Sequence, residues 1–152
     1  MTPTPSITAA AAAAPVEPDP RLIGVWSREH LAGVAARNSD VRIIYMPDRT
    51  GRYETWGAGL TEVVTFKWFT PAAAQVTMQG CEYVFRDDRQ VVRREPCDWN
   101  FPAIPFQIAV EPVPAGVEMA LLRLHFPGNR IDTFGLVTAD LTGWEDFHFE
   151  VA

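Results

Sequence analysis

A chain of 152 residues is the size of one domain, large enough to bury a core without staples. Its composition, 47% hydrophobic, 11% aromatic and 21% charged, excludes wholesale disorder and suits a fold with a large apolar interior. A net charge of −6, with no basic cluster beyond Arg93-Arg94, makes nucleic acid or an anionic membrane surface an unexpected partner.

Residues 1–20 read as a leader dominated by Thr, Pro and Ala. The alanine block Ala9 to Ala14 is too short for a membrane span, and no Lys or Arg precedes Arg21, as a secretory peptide would need. A disordered leader (1–20) ahead of one folded domain (21–152) is the expectation, with the cytoplasm as default location and export as the alternative. From Arg21 onward the periodicity is that of strands. Leu22 to Arg28 is the first, and Glu29 to Asn38 is the best helical candidate. Val41 to Met46 alternates Val41, Ile43 and Tyr45 against Arg42, Ile44 and Met46. Pro47-Asp48-Arg49-Thr50-Gly51 then reads as a hairpin turn, with Pro fixing φ and Gly supplying a positive one.

Arg52 to Trp56 returns, and after Gly57-Ala58-Gly59 the longer strand Leu60 to Phe69 places Val64, Phe66 and Trp68 on one face. Pro71 breaks it. Gln75 to Met78 and Cys81 to Arg86 follow as two strands separated by Gly80, then Val91 to Arg94. Glu95 to Pro105 reads as an irregular loop, although Trp99, Phe101 and Ile104 make it apolar enough to be a lid, a plug or a partner's contact. Phe106 to Val110, Val117 to Phe126, Ile131 to Thr138 and Trp144 to Val151 complete the series. Short strands joined by Gly/Pro turns are the signature of an all-β antiparallel barrel or sandwich, and the paired tryptophan segments Leu22 to Trp26 and Thr65 to Trp68 point to the closed barrel, of about 8–10 strands.

Three segments carry a resemblance: Gly24-x-Trp26 on the first strand, the hairpin Tyr45-x-x-Asp48-x-x-Gly51, and Phe66-x-Trp68 leading into Gln75 to Met78. In this order they resemble the bacterial lipocalin-like branch of the calycin barrels over roughly the first half of the folded body. The resemblance implies an up-and-down barrel whose first-strand Trp26 plugs a closed end, with an arginine packed across it, for which Arg123 is the counterpart. The Thr-Asp-Tyr element of the classical lipocalins and their helix after the barrel are missing, so no specific ligand is implied.

Small barrels either fill with side chains or enclose one small ligand. The leading expectation is a small apolar molecule bound among Tyr53, Trp56, Phe66, Trp68, Met78, Tyr83, Met119 and Phe134, in a monomer or homodimer. For each of these residues, core packing is the simpler role. The alternative is a cofactor-independent cyclase, isomerase or decarboxylase. Glu54 and Glu62 flank a tight turn, and strict alternation puts Glu62 on the face of Phe66 and Trp68, unless a bulge or strand end leaves it in solvent. If the odd positions of the strand ending at Phe126 face inward, Arg123 and His125 can pair with Glu62 or Asp132 as anion holder and proton shuttle. A protein-interaction module is the third reading. Cys81 and Cys97 are expected as free thiols. The three histidines, His30, His125 and His148, stand far apart in sequence, so no metal and no cofactor is expected.

Overall fold

The computed structural model describes residues 18–31, 39–88, 90–113 and 116–142. Their strands are β1 (Gly24–Ser27), β2 (Ser39–Tyr45), β3 (Thr50–Gly57), β4 (Leu60–Ala72), β5 (Gln75–Asp87), β6 (Gln90–Pro96), β7 (Asn100–Pro112), β8 (Glu118–Phe126) and β9 (Arg130–Thr138). A one-turn helix, α1 (Arg28–Leu31), follows β1. The predicted strand 144–151, residues 32–38 of the predicted helix and most of the leader lie outside the described residues.

Every pairing is antiparallel, and the sheet closes on itself in the order β1-β2-β3-β4-β5-β7-β8-β9, a barrel of eight strands. The ninth, β6, is the forward half of a single bent strand. It pairs with the end of β5 (Glu82↔Pro96 to Asp87↔Gln90), while β7 pairs with the start of β5 (Gln75↔Pro105 to Gln79↔Asn100). The chain therefore runs up and down throughout, and closure pairs both edges of the sheet, leaving the exposed β6, which pairs with β5 alone, as an edge.

Three local readings change. The stretch from Glu95 to Pro105 is strand except at 97–99. Pro102 is accommodated because it and Ala103 form a bulge opposite Thr77, where Ala103 adopts φ 50° and donates its N–H to Thr77 Oγ1 at 2.9 Å. Second, Gln75 to Arg86 is one strand through Gly80, not two. Third, the positive φ of the β2–β3 hairpin falls on Arg49 (71°), with Asp48 capping the turn through Thr50 N at 3.0 Å. Gly51 serves another need. A Cβ there would meet the Phe66 ring at 2.4 Å and the Ile44 carbonyl at 2.7 Å, so the glycine lets Phe66 lie across β3.

Alternation then sorts the side chains. Trp26, Ile43, Tyr45, Phe66, Trp68, Met78, Phe106, Leu122, Leu124 and Phe134 form one interior cluster. The end of the barrel that carries the β2–β3 and β4–β5 turns is packed shut. Trp26 Nε1 donates to the Leu22 carbonyl at 2.9 Å, and Trp68 Nε1 lies 3.1 Å from the Met46 carbonyl and 3.0 Å from that of Thr50. The Tyr45 hydroxyl donates to Met78 Sδ at 3.3 Å. With its polar atoms answered this end is ordinary protein core.

Candidate functional site

The opposite end is where β1 gives way to α1, where β8 turns into β9, and where β5 turns into β6. Here the described residues leave part of the interior unfilled. A cavity of about 240 Å³ is lined by Ile43, Tyr53, Met78, Trp99, Phe101, Phe126 and Arg130. Its aromatic walls meet edge to face: Tyr53–Trp99 at 5.4 Å, Trp99–Phe101 at 5.1 Å and Phe101–Phe126 at 5.2 Å between centroids.

Local sequence explains why these rings converge. Trp99 stands at the bend between β6 and β7, and Gly80 on the facing strand takes its carbonyl through an N–H donor at 2.8 Å. A Cβ on Gly80 would fall 2.6 Å from the Trp99 Cβ, so only glycine allows the tryptophan so close. Phe101 comes next on the inward side, opposite Met78. Trp99, Phe101 and Ile104 are thus wall and core, not an exposed patch.

Polar groups gather at the rim. On β9 the positions 130, 132 and 134 pair with Phe126, Leu124 and Leu122, which places Arg130 and Asp132 on the inward face above Phe134. Arg130 donates to both Asp132 oxygens, Nε to Oδ1 at 3.2 Å and Nη2 to Oδ2 at 2.9 Å. Arg28 of α1 reaches the same carboxylate at 3.8 Å. The two guanidinium groups also lie over rings, Arg130 4.8 Å from the Phe126 centroid and Arg28 5.6 Å from that of Phe134. Burial raises the Tyr53 phenol above its ordinary range. Arg28 and Arg130 oppose that shift and Asp132 reinforces it, so the tyrosine senses all three charges.

The residues singled out by sequence divide sharply. Tyr53 and Met78 line the cavity. Phe66, Trp68 and Phe134 lie below it in the core, Phe66 with its ring 6.4 Å from Trp99. Glu62 does share the parity of Phe66 and Trp68, but its rung, Thr55–Glu62–Phe85, is past the end of β1, and the carboxylate is exposed. There it accepts a hydrogen bond from the Tyr83 hydroxyl, and Arg93 lies over the Tyr83 ring at 5.2 Å.

Glu54 faces outward beside Arg52, whose Nε donates to Oε2 at 3.2 Å, and both side chains are buried. They continue a polar network on the outer face in which Asp40 accepts from Ser27 Oγ at 2.8 Å and from Arg42 Nε at 3.0 Å. Burial pushes the Glu54 carboxyl up against the pull of Arg52 and Arg42. Trp56 shares that face, with Arg42 over its ring at 5.0 Å.

The ambiguity on β8 resolves outward for odd positions, because Leu122 and Leu124 are in the core. Arg123 is held by Glu111 in a two-pronged pair, at 2.5 and 2.9 Å, which draws the Glu111 carboxyl below its usual range. It therefore does not lie across the inward-facing Trp26. His125 faces Gln107 at 3.4 Å, and Met119 is outward too. Glu54, Glu62, Arg123 and His125 do not meet in the cup, since they lie on the outer face or past the rim.

Sequence reading passed over Trp99, Phe101, Phe126, Arg28 and Arg130 as members of one site. Arg130 stands just before the predicted strand Ile131 to Thr138, yet its i+2 spacing to Asp132 and Phe134 is a usable signal. Cys81 on β5 and Cys97 in the bend after β6 are free thiols, with Cys97 N–H donating to the Cys81 carbonyl at 3.3 Å. Among the described residues no group of three or more His, Cys, Asp or Glu could hold a metal, and no helix is long and apolar enough to cross a membrane. The chain matches no protein-family model, and no curated protein or solved structure matches it.

Proposed function

We propose that this protein holds one small apolar molecule in the open end of its barrel, in the manner of a lipocalin-like binding protein. The observation that carries the reading is the unfilled 240 Å³ of aromatic-walled space beneath a polar rim. That volume exceeds the roughly 150 Å³ of an apolar cavity that takes benzene, and falls below the roughly 300 Å³ where drug-sized pockets begin. The fitting occupant is a single ring with a few further atoms. Acid/base catalysis by Glu62, Arg123, His125 or Glu54 draws no support from their placement outside the cup.

Titration with a monocyclic aromatic such as toluene, followed by tryptophan emission, tests the reading. A saturable change that disappears in Phe101→Trp, where a larger ring occupies the space, is the expected result. Thermal unfolding of that variant checks that the barrel persists. No saturable change with any monocyclic compound would sink the proposal.

A further inference from the structure

One side of the cup's rim is not electrically balanced. Among the described residues Arg28 and Arg130 converge on one carboxylate, Asp132, so this cluster of three carries one positive charge in excess, on a chain whose net charge is −6. Asp132 is the buried partner, its side chain 10% exposed, whereas those of Arg28 and Arg130 are 45% and 59% exposed. Each guanidinium carries more N–H donors than a shared carboxylate engages, and its planar fork suits a second one. Arg130 itself lines the cavity, so its charge borders the apolar space. The Tyr53 phenol, raised above its ordinary range by burial and hydrogen-bonded by Arg28, borders the cavity on the β3 side.

Resting on the binding reading above, we propose that the occupant is an aryl carboxylate: one aromatic ring seated among Trp99, Phe101 and Phe126, with a short arm bringing its carboxylate to Arg130 and Arg28. A monoanion matches the single excess charge. A dianionic phosphate would leave a negative charge at the mouth of an already acidic protein, and a cation would meet like charge. The volume sets the same limit, since a long-chain acid exceeds the cup.

Calorimetric titration of the full chain with hydrocinnamate and with hydrocinnamyl alcohol, its uncharged counterpart, tests this. The expected result is about tenfold tighter binding of the acid at low salt, from charge-assisted hydrogen bonds, shrinking as salt is added. Arg130→Gln reduces the acid-to-alcohol preference to about threefold or less, Arg130→Lys retains most of it, and Arg21→Gln leaves it unchanged. That last variant removes the same charge at the packed end. Equal affinity for acid and alcohol overturns the carboxylate assignment while the apolar cup stands. A preference that Arg21→Gln lowers as much as Arg130→Gln overturns it too, assigning the effect to net charge. Binding of neither compound overturns cup and carboxylate together.

Discussion

The two ends of one barrel use the same kind of residue for opposite purposes. At the packed end Trp26 and Trp68 are 1% exposed and each indole N–H is answered by a backbone carbonyl. At the open end Trp99 is half-buried, and it borders space that no described side chain fills. A tryptophan's role is thus set by what closes over it. Where turns bring backbone carbonyls and neighbouring rings onto it, it is core. Where strands end on arginines and a one-turn helix, it is a wall.

That contrast breaks most visibly by truncation. Trp26→Ala is expected to cost about 3–5 kcal/mol, a cavity plus an unanswered Leu22 carbonyl, whereas Trp99→Ala costs roughly 1–2 kcal/mol because part of its ring already meets water. Urea unfolding measures both, and equal losses would erase the distinction. Gly80→Ala comes next. The added methyl collides with Trp99, costs about 1–3 kcal/mol, and abolishes saturable binding of monocyclic aromatics although the packed end is untouched.

A third comparison uses the tyrosines. Burial raises the phenols of both Tyr45 and Tyr53, so their protonated forms stabilise the fold below the ordinary range near about 10 and that contribution is lost as pH rises through the folded values. Tyr53, at the rim, is expected to ionise before the barrel opens, and Tyr45 only with unfolding. Phenolate absorbance of Tyr53→Phe and the parent, set beside circular dichroism, separates the two. The smallest effect is expected from Phe126→Leu, about 1 kcal/mol or less, with a shift in preference toward bulkier rings. An unchanged preference would place the ligand elsewhere in the cup.

Much of the architecture was legible because strands announce themselves locally. Alternation at Val41 to Tyr45 and the hairpin at Pro47 to Gly51 depend on neighbours in the chain. The flanks of the apolar bend at Trp99, which are strand, do not announce themselves for the opposite reason. Pro102 looks like a breaker until the partner strand supplies Thr77 Oγ1 and a bulge, a contact across 26 residues. Candidate site residues fared worse. Parity alone placed Glu62 correctly on its strand face, but not past the rim, since that depends on where β1 ends beside it.

By itself, then, the amino-acid sequence determined the fold class, the direction of most strands and the apolar character of the interior, because these follow from a two-residue period and turn chemistry. Tertiary structure alone decided which end is sealed, that Arg123 and His125 face outward, and that Arg28, Arg130, Asp132 and Tyr53 share one rim. Closure of the sheet joins strands distant in sequence, and only that joining distinguishes the cup from its wall.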